Sequence, residues 1–203
     1  MTTTRTITIF KFSELSEKAK ETARQWYREG AFDFEWWDFV YEDAITCAAI
    51  LGIEIEAKNI QFSGFWSQGD GASFTGKYAY AKDAHNLIRQ HAPQDETLAR
   101  IADGLLEAQR KANYKLVSKI SIHRGGYCHS HMMDFDTYVA LANGDESAAS
   151  DEQELAIKTA MRGFADWLYR QLEKEYDWRN ADEQVDESIE ANEYEFLENG
   201  ARA

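Results

Sequence analysis

Proline is almost absent from this chain: among 203 residues only Pro93 occurs, which excludes a Pro-rich linker. Cysteine is scarce too. Cys47 and Cys128 are too few for a disulfide framework, and Cys47 falls in an apolar helical pattern, where it reads as a core residue. The compartment this implies is a reducing cytoplasm. No apolar run approaches the ~20 residues of a membrane-spanning helix. The start, Met1 to Phe10, lacks the basic-then-apolar layout of a signal peptide. The last shortage is of positive charge: from Asp182 to Glu198 there are eight carboxylates and no Lys or Arg.

That shortage is the far end of a wider imbalance. Residues 145–200 carry seventeen acidic side chains and five basic ones (Lys158, Arg162, Arg170, Lys174, Arg179), a balance of −12 within a formal net charge of −14. Such a field repels nucleic acid and attracts basic partners. It is a physical property and not a chemistry. Hydrophobic content of 44% and aromatic content of 13% fit a packed globule and argue against global disorder. The length suits one well-buried domain spanning 1–203. With six Trp, ten Tyr and eleven Phe, the core is expected to be rich in rings, unless some of them face outward for binding.

Periodicity sets the expected elements. Residues 4–10 alternate Thr and Ile and read as a strand. A helix is expected over 16–29, capped by Ser16 and stopped by Gly30. Another is expected over about 34–51, capped by Asp33, with Trp36, Val40, Ala44, Cys47 and Leu51 as its buried stripe. Ile60, Phe62, Gly64 and Trp66 share one strand face. After the turn 67–71, a return strand places Ala72, Phe74, Gly76, Tyr78 and Tyr80 on one face. Helices follow at 83–91 and 95–112. A second hairpin over 115–141 turns at Gly125-Gly126, where both residues can take positive φ. Ser150 with Gln153 makes a capping box for a helix to about Tyr176. Asn180 with Glu183 repeats it for a last helix to about Asn199, with Val185, Ile189, Asn192 and Phe196 inward. The fold class is therefore α+β: an antiparallel sheet built from hairpins, covered by several helices, with acidic C-terminal helices.

Three constellations are candidates for function. The first is the aromatic, Gly-rich hairpin 60–80. Its turn collects small polar residues with backbone donors, so Trp66, Gln68, Gly69, Asp70 and Gly71 form a candidate ligand site. Gly64 and Gly76 are expected to leave room for aromatic rings. No Walker or Rossmann pattern accompanies the turn. The second is His123, Cys128, His129 and His131. With the turn at Gly125-Gly126, His123 faces Cys128, while His129 and His131 point to the other face. The four split two and two, so neither a metal nor a cofactor is expected. No nucleophile elbow occurs, and Cys128 with His123 lacks a third orienting group, so no catalytic residue is assigned and the expectation is a non-enzyme. The third is the acidic stripe Asp182, Asp186, Glu190 and Glu193, widened by Glu183 and Glu187. Like charges four apart repel by a few tenths of a kcal/mol, so the stripe reads as a solvated face or as a surface for a basic groove.

The stretch Tyr41-Glu42-Asp43-Ala44, the hairpin FSGFWSQGDGASFTG and the ending Ala191 to Phe196 resemble a group of bacteriophage and prophage proteins, some named antitoxin of a toxin–antitoxin stability system. The resemblance covers most of the chain. It implies a phage origin and a role inside an infected bacterium, and it carries over no functional residue. With the charge map, it leads to the expectation of an acidic cytoplasmic protein that inhibits a host or defence protein with a basic surface. Nucleic-acid-handling complexes such as CRISPR effectors or restriction enzymes qualify because their DNA grooves are basic. No direct nucleic-acid or membrane contact is expected, and homo-oligomerisation is left open. The alternatives are an antitoxin that neutralises a toxin protein, and a small-ligand binder or enzyme centred on the aromatic hairpin.

Overall fold

In the computed structural model, residues 7–30, 35–123 and 125–203 are described. Their elements, in chain order, are β1 (Phe10–Lys11), α1 (Glu17–Gly30), α2 (Asp38–Leu51), β2 (Ile53–Glu54), β3 (Ile60–Phe62), β4 (Ala72–Phe74), β5 (Gly76–Ala79), α3 (Ala84–His91) and α4 (Glu96–Lys111). Then come β6 (Leu116–Ile122), β7 (Met133–Ala140), β8 (Glu146–Ala148), α5 (Asp151–Asn180), α6 (Asp182–Ala191) and β9 (Glu195–Phe196). This is the α+β class that the patterning implied, with antiparallel pairing throughout the named strands. Among the described residues no helix is long and apolar enough to cross a membrane. The chain divides into two units: Asp38–Glu173, and Met1–Trp37 with Lys174–Ala203.

The larger unit is built on a five-stranded sheet of order β2-β5-β6-β7-β8. Along β6, Leu116, Ser118 and Ile120 alternate inward, as a half-buried strand requires. Tyr78 of β5 and Met133 of β7 join them. From α4, the buried Leu98, Ile101, Ala102, Leu105 and Gln109 follow the helical spacing read from the sequence. Gln109 is fully buried, and its amide is satisfied. Oε1 accepts from the Leu116 amide at 3.0 Å, and Nε2 donates to the Leu116 carbonyl at 2.8 Å and to the Tyr78 hydroxyl at 3.2 Å. A polar side chain thus ties the helix to the strand without a stranded donor or acceptor. From α5, Ile157, Met161, Phe164 and Leu168 are completely buried, and Phe164 meets Phe74 edge-on at 5.7 Å. Asp95 caps α4 by accepting from Thr97 and Leu98, and its other oxygen accepts from the Trp167 indole at 2.6 Å.

The smaller unit packs Phe12, Leu15, Ala19 and Ala23 against Val185, Ile189 and Phe196. Ser16 caps α1 as expected, accepting from the Ala19 amide.

Several boundaries differ from the sequence expectation. Of the strand expected at 4–10, residues 4–6 lie outside the described residues, and pairing begins at Phe10. The helix expected from 34 starts at Asp38; the Asp33 cap lies outside the described residues. The return strand breaks at Thr75, whose amide donates to Asn59; β4 stays paired with β3 while β5 joins the larger sheet. Asn180 is no cap. α5 runs through it, and its amide bonds back to the Tyr176 carbonyl. The last helix stops at Ala191 and not near Asn199. Glu193 turns the chain with φ of +52°, and Phe196 reaches the core from β9, paired with Phe10. A helical stripe and a turn back into a short strand bury the same apolar residues, so spacing alone did not separate them.

Candidate ligand-binding cleft

The histidine hairpin is where the register differs most. Ile122 pairs with Met133, and the His123 amide donates to the Met132 carbonyl, so the two strands do not meet in a two-residue turn at Gly125-Gly126; residues 125–129 lead into a short 3-10 turn over Ser130–Met132. His123 does not face Cys128. Its Nε2 lies 2.6 Å from the Asp134 carboxylate. His129 and His131 leave the ladder and sit side by side, ring centres 5.8 Å apart, with Tyr127 5.9 Å beyond His129. Arg162 of α5 anchors this loop by donating to the carbonyls of His131 and Met133 at 3.3 Å each.

The loop docks on the turn of the aromatic hairpin. A Cβ on Gly69, where φ is +93°, would overlap the Tyr127 ring. A Cβ on Gly71 would stand 2.6 Å from the His129 Cα. The two glycines of the turn are therefore the positions that let the histidine loop approach. The rings expected at Gly64 and Gly76 are not there: Gly64 has the Asp70 carboxylate nearby, and Gly76 faces the Glu54 backbone. Asp70 fixes the turn by accepting from the Ser67 amide at 2.7 Å.

Turn and loop together with Asp166 and Tyr169 of α5 line an open surface cleft of about 590 Å³. Its polar side chains are Gln68, Asp70, His129, Ser130, His131 and Asp166, and Tyr127 and Tyr169 also line it. Among the described residues the buried Nδ1 of His129 has no hydrogen-bond partner. Tyr169 donates to the Gly64 carbonyl at 2.9 Å, and its partial burial, with Asp70 and Glu173 nearby, pushes the phenol above its ordinary range. Behind the cleft a line of rings runs Tyr41, Phe62, Phe65 and Tyr169, with centres 5.4 to 6.3 Å apart. Phe65 also touches Trp66, which is 74% exposed and sits at φ of +76°. That region is strained for a bulky residue, and such strain gathers at functional sites.

Four of the five hairpin residues singled out from the sequence (Gln68, Gly69, Asp70 and Gly71) line the cleft, and Trp66 stands two positions away. Reading the chain in order missed Tyr127, His129, His131, Asp166 and Tyr169 as partners of that turn. Nothing local signals the meeting of segments some 60 and 100 positions apart. A second hollow of about 520 Å³ lies between α4 and α5. Its charged end is already paired, Lys111 with Glu107 and Glu152.

The acidic helix is less uniform than its sequence. In the smaller unit Arg24 grips Asp186 through two bonds of 2.6 Å, and Arg28 reaches Asp182 at 2.5 Å. The Asp186 hydrogen bond leads in holding the Arg24 guanidinium above its already high range. Two of the six carboxylates singled out for a partner are therefore tied to the chain's own arginines. Glu183, Glu187, Glu190 and Glu193 are exposed and meet no opposite charge among the described residues.

No curated protein and no solved structure is significantly similar to the chain. Residues 36–182, a span that contains the whole cleft, match the family model described as Domain of unknown function (DUF8835), and the chain belongs to that family.

Proposed function

We propose that this chain is a binding protein whose ligand occupies the cleft between the Gln68–Gly71 turn and the Tyr127–His131 loop. The observation that carries this reading is their convergence. Two segments with polar and aromatic side chains, each held by its own anchors, close on one concavity through glycines that admit no side chain. The lining suggests the ligand class. Asp70 and Asp166 disfavour phosphate and favour hydrogen-bond donors or a positive charge. Tyr127 and Tyr169 offer faces for a planar ring. The ligand is a flat, uncharged or cationic heterocycle, such as the base of a nucleoside.

Thermal unfolding of the full chain with nucleosides, and separately with their monophosphates, tests this. A ligand raises the midpoint by preferring the native state. The nucleosides are expected to raise it more than the monophosphates, and His129→Ala with Tyr127→Ala is expected to remove the rise. A rise unchanged in that double variant contradicts the assignment.

The exposed carboxylates Glu183, Glu187, Glu190 and Glu193 favour a second reading. In it, a phage-encoded protein blocks a basic host or defence protein, or a toxin, through this face. All four lie outside the matched family span, so this reading draws no support from the shared domain.

A further inference from the structure

We propose that Asp43, Cys47 and His91 form a binding site for a zinc-like divalent metal, separate from the cleft. Asp43 and Cys47 stand four positions apart on α2, so their side chains share one face. His91 is the last residue of α3, which packs against α2. The three donor atoms lie within 4.8 Å of one another, and His91 Nε2 is 3.4 Å from Asp43 Oδ1.

The donor set selects the metal. Calcium and magnesium take oxygen donors, whereas one sulfur, one imidazole nitrogen and one carboxylate oxygen suit zinc or cobalt. Bond lengths of about 2.0–2.3 Å in a tetrahedral site place neighbouring donors roughly 3.3–3.8 Å apart. The three groups are thus close to coordinating spacing before any ion arrives. Burial is graded in the useful direction. Cys47 is enclosed at 1% exposure, while Asp43 and His91 face solvent. The ion enters from the carboxylate and imidazole side, and a fourth position stays open there for water or substrate, as in catalytic rather than structural zinc sites. The competing arrangement is a core cysteine beside a surface His–Asp pair, in which the sulfur never touches a metal.

Cobalt titration of the full-length, chelator-treated protein separates the two. The expected result is a near-ultraviolet thiolate-to-cobalt band together with strong visible bands of a tetrahedral ion, saturating at one cobalt per chain and erased by zinc. Cys47→Ser is expected to abolish the ultraviolet band. His91→Ala, at an exposed position that leaves the core intact, is expected to weaken binding at least tenfold, whereas His129→Ala and His131→Ala leave it unchanged. The proposal is overturned by the absence of a thiolate band, by a band that survives Cys47→Ser, or by one that follows Cys128→Ser instead.

Discussion

Phe74 and Trp66 flank one turn and have opposite fates. Phe74 is fully buried against Phe164, and Trp66 is mostly in water. Phe74→Ala is expected to cost about 3–5 kcal/mol, the usual penalty for a deleted core ring. Trp66→Ala should stay within about 1 kcal/mol, as surface substitutions do. Chemical denaturation of both variants measures this; equal losses contradict it. All three residues of β4 are buried, so Phe74 lies inside without any in–out alternation along that strand. Alternation could not place Trp66, because the chain has left the strand by Phe65 and the positive φ of Trp66 turns its ring out of register. The glycines divide likewise. Gly71→Ala forces backbone to move at His129, so it is expected to reduce ligand response and cost about 1–3 kcal/mol. Gly64→Ala has 3.8 Å of clearance and should fold normally. Cys47 was legible as a core residue from its stripe, and Asp43 lies four positions before it on the same helix, but the approach of His91 was not legible, since 44 positions separate the thiol from the imidazole. Burial, followed by the nearby Asp43 and Asp95 charges, pushes the metal-free Cys47 thiol up to about 12. In native metal-free protein at pH 8, a thiol reagent is therefore expected to titrate Cys128 readily and Cys47 only after denaturant; two fast thiols contradict that burial.

Among the elements, α6 shows how neighbouring charges differ in role. Arg24 is largely buried, and its two-pronged bond to Asp186 is charge-assisted at both ends. Asp186→Asn is expected to destabilise the protein by about 2 kcal/mol, in the range of hydrogen bonds to charged groups. Glu187→Gln, one position on, is expected to change stability by less than 0.5 kcal/mol, as a surface change does. A shared small effect would show that the Arg24 pair adds nothing. Neutralising the whole stripe at once would therefore break the Arg24–Asp186 pair along with the exposed charges. The pairing sharpens the test of the acidic-face reading: neutralising Glu183, Glu187, Glu190 and Glu193 alone should weaken a basic partner's binding and flatten its salt dependence. The sequence showed the stripe but not its partners, because Arg24 and Arg28 lie more than 150 positions away. Most helices and the longer sheet strands β5, β6 and β7 were readable from spacing, whereas the short edge strand β8 was not. The early closing of the β6–β7 ladder was not readable either: Gly125-Gly126 is good turn chemistry, yet Ile122 and Met133 pair as a cross-strand apolar couple well before it.

At the scale of the molecule, the segment 36–182 that defines the family coincides closely with the larger unit, and the cleft lies within it. The densest run of acidic residues begins at the end of that span and continues beyond it, in α6 and the residues that follow. Composition therefore points most strongly at a part of the chain that the family model does not include, and the convergence of distant loops, invisible in composition, points at the part that it does. The most direct measurement of the central claim is crystallographic screening of small planar heterocycles against the full chain. Bound fragments are expected to gather between Gln68–Gly71 and Tyr127–His131, in contact with His129 or Asp70. Fragments that leave this cleft empty and collect instead in the hollow between α4 and α5, or along Glu183–Glu193, would contradict it.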